Sequence, residues 1–308
     1  MSLDEKAHGD RVSPVSSFST ETPPKPTRAT TDPNALDNLQ VLPKILQEGI
    51  LFIASGPALL LQAAQPALKR RLSQTAPNTS SPTLADDLTT TLRSTLSYIA
   101  CLVFGTREEK QALLGRLGLG QPPLPTTKLA VSPNTNDAEA NEVVQLWLVA
   151  TLYATATDIY QRIYGRIDYR TAERGYAEFA LLLRHLDNVV LPAHLWPATR
   201  AEFWRYWDDE LEGLSVSADA HKFAHDLATR TDLPRWVSML KPVMRVVTVE
   251  MLPVRIREAY GLKSTMGTRG VYRTTMGFSV AVYPALPKNV RSWPVKYYLD
   301  EMRKHLAV

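Results

Sequence analysis

Apolar residues recur at intervals of three and four through most of the chain, the spacing of helices that bury one face. This pattern predicts helices over Asn38–Ala54, Gly56–Lys69, Leu84–Phe104, Arg107–Leu117, Ala138–Tyr164, Thr171–Leu186, Thr199–Leu211, Ser217–Leu227, Arg235–Lys241, Val243–Tyr260 and Pro294–His305. Ser81-Pro82-Thr83 gives the third of these an entry signal. Strict alternation is confined to Val271–Tyr283, which predicts a small extended segment there. Polar loops are expected over Ser73–Pro82 and over Gly120–Asp137, the latter with four prolines. The stretch VVQLWLVATLYATATDIYQRIY is apolar on nearly every side and marks Ala138–Tyr164 as a buried central helix. Residues 1–36 hold ten Ser/Thr, five Pro and nearly balanced charge, too little apolar surface to offset the entropy of ordering, so a disordered tail is expected. The fold expected for 37–308 is all-α, a single multi-helix domain around the central helix and an apolar pocket.

Composition narrows the function classes. Of 308 residues, 44% are hydrophobic and 21% charged, ordinary globular values. Lys+Arg is 35 and Asp+Glu 31, a net charge of +4, too small for a phosphate-tracking surface, so no nucleic-acid partner is expected. One cysteine, Cys101, excludes an internal disulfide framework and any multi-Cys zinc cluster. Its apolar neighbours make it a core thiol. The N-terminus carries no apolar leader. The longest apolar run, Gly49–Ala64, is broken by Gly56 and Pro57 and falls short of the ~20 residues of a membrane span. A cytoplasmic protein without a transmembrane segment is expected, its oligomeric state open.

Several side chains invite a chemical reading. His221 and His225 share a helix face at i, i+4, as a zinc pair would, but no Glu follows the first His and Lys222 and Asp226 mark a solvated surface. Asp158 sits in the apolar central helix, where a carboxylate must be paired or protonated. Arg162, at i+4, can pair with it; an acid or pocket anchor is the other reading. Thr151, Thr155 and Thr157 can bond back to the preceding turn. With Trp147, Tyr153, Tyr160 and Tyr164 they could equally wall a cavity of apolar surface and few polar groups. Trp196, Trp204, Tyr206 and Trp207 read as an aromatic core. Arg255 or Arg257 could hold an anionic group, or pair with Glu250 or Glu258. No Gly-rich phosphate loop, nucleophile elbow or kinase motif is present.

The order of several stretches resembles the catalytic domain of the mpaB-type oxygenase and rubber oxygenase (latex-clearing protein) family. GPALLLQAAQPAL (56–68), LRSTLSYIACLVFGTREE (92–109), VVQLWLVATLY (143–153), the block from Glu173 to Leu211, EMLPVRIREAYGL (250–262) and the ending from Val282 carry the resemblance. It covers about residues 45–307. The resemblance implies a helical shell around a buried apolar pocket and, in characterised members, a b-type haem that cleaves isoprenoid double bonds. The chain departs from that pattern where the family places histidine. The family's QxxHP turn reads Gln62-Ala63-Ala64-Gln65-Pro66, the segment Gly115–Pro123 has no His, and its WVH reads Trp147-Leu148-Val149. The family's Arg/Lys-Thr patch survives as Arg93 and Thr95.

Haem iron needs an imidazole, thiolate, thioether or phenolate donor, and none stands at the family's His position. The expected function is therefore a fungal-type secondary-metabolite tailoring enzyme. It would bind a terpenoid or polyketide and promote a cofactor-independent cyclisation or isomerisation, such as a Diels–Alder closure. The alternative is a haem b oxygenase with a displaced ligand, His185 or a tyrosine, and a second alternative is a non-catalytic binder of a hydrophobic metabolite. Asp158, Tyr153 and Thr151 are the expected catalytic residues. Trp147, Arg93, Thr95, Tyr98, Tyr160, His185 and Arg255 are expected to contact substrate, and no metal ligand is expected.

Overall fold

The most apolar stretch of the chain forms the axis of the fold. In the computed structural model, which describes residues 33–68, 84–124, 138–187, 189–229 and 235–306, every regular element is helical among the described residues. The α-helices run Leu42–Leu46 (α1), Ser55–Ala63 (α2), Leu84–Phe104 (α3), Arg107–Gly118 (α4), Ala138–Tyr164 (α5), Tyr169–His185 (α6), Arg200–Gly213 (α7), Ala218–Thr229 (α8), Arg235–Met251 (α9), Val254–Ala259 (α10), Met266–Val282 (α11), Lys288–Arg291 (α12) and Trp293–Leu306 (α13). Helix α5 buries Ala150, Thr151, Ala154 and Ile159 against α2 and the 3-10 segment Gly49–Ala54. Helices α3 and α13 pack along each other beside it.

Local chemistry starts several helices where the structure starts them. Thr106 with Glu109 and Thr199 with Glu202 form reciprocal capping boxes at α4 and α7, and Asp168 accepts the Thr171 N–H at α6. Helix α1 has no cap of its own. The buried Glu178 carboxylate of α6 accepts the backbone N–H groups of Gln40, Val41 and Leu42 at 3.0, 2.9 and 2.8 Å, so a side chain far along the chain supplies the acceptor.

Three expectations are corrected. First, the alternation over 271–283 is helical: α11 begins on a Thr265–Thr268 capping box and turns Tyr272 and Met276 onto the apolar cluster of Ile50, Ile53, Ile159 and Val247. One buried stripe at i, i+4 outweighs β-branched alternation once a partner surface is present. Second, the helix expected over Asn38–Ala54 breaks at Glu48, whose backbone is extended (φ −82°, ψ 104°). Gly49 lies so close to α12–α13 that a Cβ there would stand 2.5 Å from the Arg291 carbonyl oxygen and 2.6 Å from the Pro294 ring. Third, the helix expected to stop before Pro242 runs through it to Met251. Pro242 lacks only the N–H that would point one turn back toward Ser238, an exposed position. The break comes instead before Pro253.

The expected tail falls on residues 1–32, outside the described residues, except for 33–36. Those four begin the 3-10 turn Pro33–Asn38, and Leu36 is buried in the main core. The loop 73–82, and most of that over 120–137, also lie outside the described residues.

Candidate functional site

A cavity of about 190 Å³ lies between the 3-10 segment and α1 on one side and α3, α5, α6, α7 and α13 on the others. Its walls are chiefly apolar, with Leu51 and Phe52, Leu96 and Ile99, Ala156, Phe179, Trp204 and Val295 supplied by six different elements and segments. This is the composition of a small-molecule site: apolar surface with a few placed polar groups.

One polar group is Tyr153. It lines the cavity from α5 and is packed edge-on against Tyr176, Trp196 and Phe203, with ring centroids 5.6, 5.8 and 4.8 Å away. Burial pushes its phenol up to about 12, against the opposing pull of Arg200 and a hydrogen bond with Thr157. At neutral pH it is a protonated donor. Arg200, also on the wall, is held by Glu173 at 2.8 Å.

The second polar group is Glu48, set into the wall by the break before Gly49. It is 3% exposed. Its Oε1 accepts from Arg291 Nη1 at 2.7 Å and its Oε2 from the Tyr164 hydroxyl at 2.7 Å, while Arg291 Nη1 also donates to Tyr164 at 2.8 Å. The Tyr283 hydroxyl faces the same carboxylate and accepts the Ile50 N–H at 3.0 Å. Burial raises both phenols, and the adjoining carboxylate raises them further. Glu48 was not among the residues expected from sequence: its partners lie 116 to 243 positions away, and no local motif encodes them.

Of the ten residues expected to form the site, Tyr153 alone lines this cavity. Asp158 faces away from it, half-exposed and paired with Arg162 at 2.9 Å. Thr151 is fully buried on the opposite face of α5, where its hydroxyl donates to Leu148 O and accepts from Gln62 Nε2 at 2.8 Å. Trp147 donates to Leu61 O at 2.9 Å and stacks on Trp207. The two residues are core, because α2 covers the side of α5 that carries them. Tyr98 is buried, its hydroxyl on Leu124 O at 3.3 Å, and Thr95 is buried beside it on α3. Arg93 pairs on the surface with Glu301. Tyr160 packs on Tyr164. His185 is buried with Nδ1 2.9 Å from Leu181 O. Arg255 donates to Leu211 O and Glu212 O at the end of α7. Arg257, the other arginine weighed as an anion anchor, pairs with Glu250 at 3.8 Å. His221 and His225 are exposed.

Haem b, the group the resemblance implies, would need an axial donor from this lining. Among the described residues the wall offers no imidazole, thiol or thioether. Burial raises its phenols, Tyr153 and Tyr298, which disfavours the phenolate form in which tyrosine ligates iron. Gln65, which the resemblance sets against the family's histidine, donates to Glu210 Oε2 at 2.7 Å. The residues present do not fit an axially ligated haem in this cavity. Among the described residues no cluster of three His, Cys, Asp or Glu is placed to hold a metal.

The profile of the family described as ER-bound oxygenase mpaB/B'/rubber oxygenase, catalytic domain, matches residues 43–281. Two curated relatives are the uncharacterized proteins Mb2261 of Mycobacterium bovis and Rv2237 of Mycobacterium tuberculosis. Each is 28% identical over 143 residues, covering 46% of this chain. The chain spans about half (53%) of those relatives' length. No solved structure matches. Among the described residues no helix is long and apolar enough to cross a membrane.

Proposed function

Because the chain belongs to the mpaB/rubber oxygenase catalytic-domain family, we propose that it is an enzyme that folds a slender, largely apolar metabolite inside the α3–α5–α6 cavity. There it promotes an isomerisation or cyclisation, Diels–Alder closure included, without a cofactor. The observation that carries this reading is the polar set of the wall: a phenol donor at Tyr153, a braced carboxylate acceptor at Glu48 and a braced guanidinium at Arg200, with apolar surface between. Apolar walls hold a flexible chain in a reactive conformation. The Tyr153 phenol donates to a substrate carbonyl or hydroxyl and polarises it. Glu48 orients a donor group at the other end.

The test is to fill the chamber. Ala156→Trp places an indole in the cavity while Tyr153 and Glu48 stay in place. Binding of the apolar dye N-phenyl-1-naphthylamine should weaken by about 100-fold, and overpacking should cost roughly 1–3 kcal/mol of stability. Unchanged dye binding in the folded variant rules the cavity out as the site. Tyr153→Phe should keep dye affinity within about threefold and lower turnover of a metabolite extracted with the wild-type protein by about 100-fold.

The oxygenase character of the family favours a second reading, an oxygenase. That reading needs an iron donor from outside the cavity wall.

A further inference from the structure

Between Ala259 and Leu299 the chain carries no Asp or Glu, yet holds Lys263, Arg269, Arg273, Lys288, Arg291 and Lys296. Arg291 is paired with Glu48; among the described residues the other five form no ion pair, although Arg269 donates to Ser264 and Lys296 to Asn289. Helix α11 occupies the middle of this stretch, and it buries no residue fully. Its inner side, through Tyr272 and Met276, rests on the core. Its outer side presents Val271, Phe278 (66% exposed) and Met266 (88% exposed). The following turn and helices add exposed Val290 and Trp293.

We propose that this acid-free face docks on an anionic lipid surface, with α11 lying in the interface plane. The combination is that of a monotopic contact: exposed aromatic and aliphatic side chains to enter the headgroup region, flanked by cations that attract acidic lipids. A second copy of the chain fits the face poorly, since a two-fold contact would set Arg269 and Arg273 against their own equivalents. The same segment reaches the chamber: Arg291 braces Glu48, and Val295 and Tyr298 form its wall. A docked protein would therefore present that wall close to the bilayer, where apolar metabolites partition. The docking claim stands on the surface alone, whatever the cavity binds.

The test is co-sedimentation of the full chain with two kinds of vesicle, phosphatidylcholine alone and phosphatidylcholine with about 30 mol % phosphatidylserine. Binding is expected only to the second, and about 0.5 M salt should release it. Arg269→Glu with Arg273→Glu should weaken it about 25-fold or more, roughly fivefold for each basic side chain removed. Phe278→Ser should weaken it independently. Both variants alter exposed positions, so their thermal unfolding should match that of the wild type. Absence of binding to acidic vesicles, or binding that the charge reversal leaves intact, overturns the proposal. So does a dimer in sedimentation velocity that the same substitutions dissociate, which would assign the face to a second copy.

Discussion

Replacing Arg291 with alanine is expected to cost the fold about 3–5 kcal/mol, the range for removing one partner of a buried ion pair. Glu48 is 3% exposed, and the Arg291 side chain is 14% exposed. Without the guanidinium, the carboxylate keeps the Tyr164 hydroxyl as a donor but loses its counter-charge. The loss should also loosen the cavity wall, because the Arg291 backbone carbonyl is the group that Gly49 approaches. Urea unfolding measures the cost. Adding Glu48→Gln to Arg291→Ala should recover a large part of it by removing the stranded charge. A double variant as unstable as the sum of the two single ones would show that the pair is not coupled.

Glu178→Ala is expected to cost about 3 kcal/mol at neutral pH, because three backbone N–H groups at the start of α1 lose their acceptor together. Helix α1 lends Leu42, Ile45 and Leu46 to the cavity, so dye affinity should fall with stability. The effect depends on pH. Burial alone would raise the Glu178 carboxyl, but the hydrogen bonds from Leu42, Gln40 and Val41 and from Arg174 outweigh it and hold the group below the usual carboxylate range. A group with a depressed folded value contributes its stability above the unfolded value of about 4.3, and that contribution is lost as pH falls through the folded one. The gap between wild type and variant should be full at pH 7 and shrink below about pH 4.3. A gap of constant size down to pH 2 would contradict this account.

What could be read from the sequence was what neighbours encode. The Asp158–Arg162 pair follows from an i, i+4 spacing, and the burial of α5 follows from its apolar run. Tyr153, read from the sequence as a site residue, lines the cavity, whereas Trp147 and Thr151, six and two residues earlier, do not. A helix apolar on every side does not reveal which side α2 will cover. Gln62, from α2, claims the Thr151 hydroxyl, and that contact spans 89 positions. Glu48 was hidden for the same reason, and because the helix expected over Asn38–Ala54 would have carried it past the cavity. The helical nature of α11 was masked by its valines, threonines and tyrosines, whose preference yields to the surface they pack on.

A chamber built to hold an apolar molecule rather than haem should leave the purified protein colourless. The most direct measurement is the absorption spectrum of the protein purified from cells supplied with haem precursor, joined to extraction of whatever co-purifies. A colourless protein that releases an apolar small molecule, and fails to do so after Ala156→Trp, is the expected result. A Soret band with haem at one per chain would contradict it.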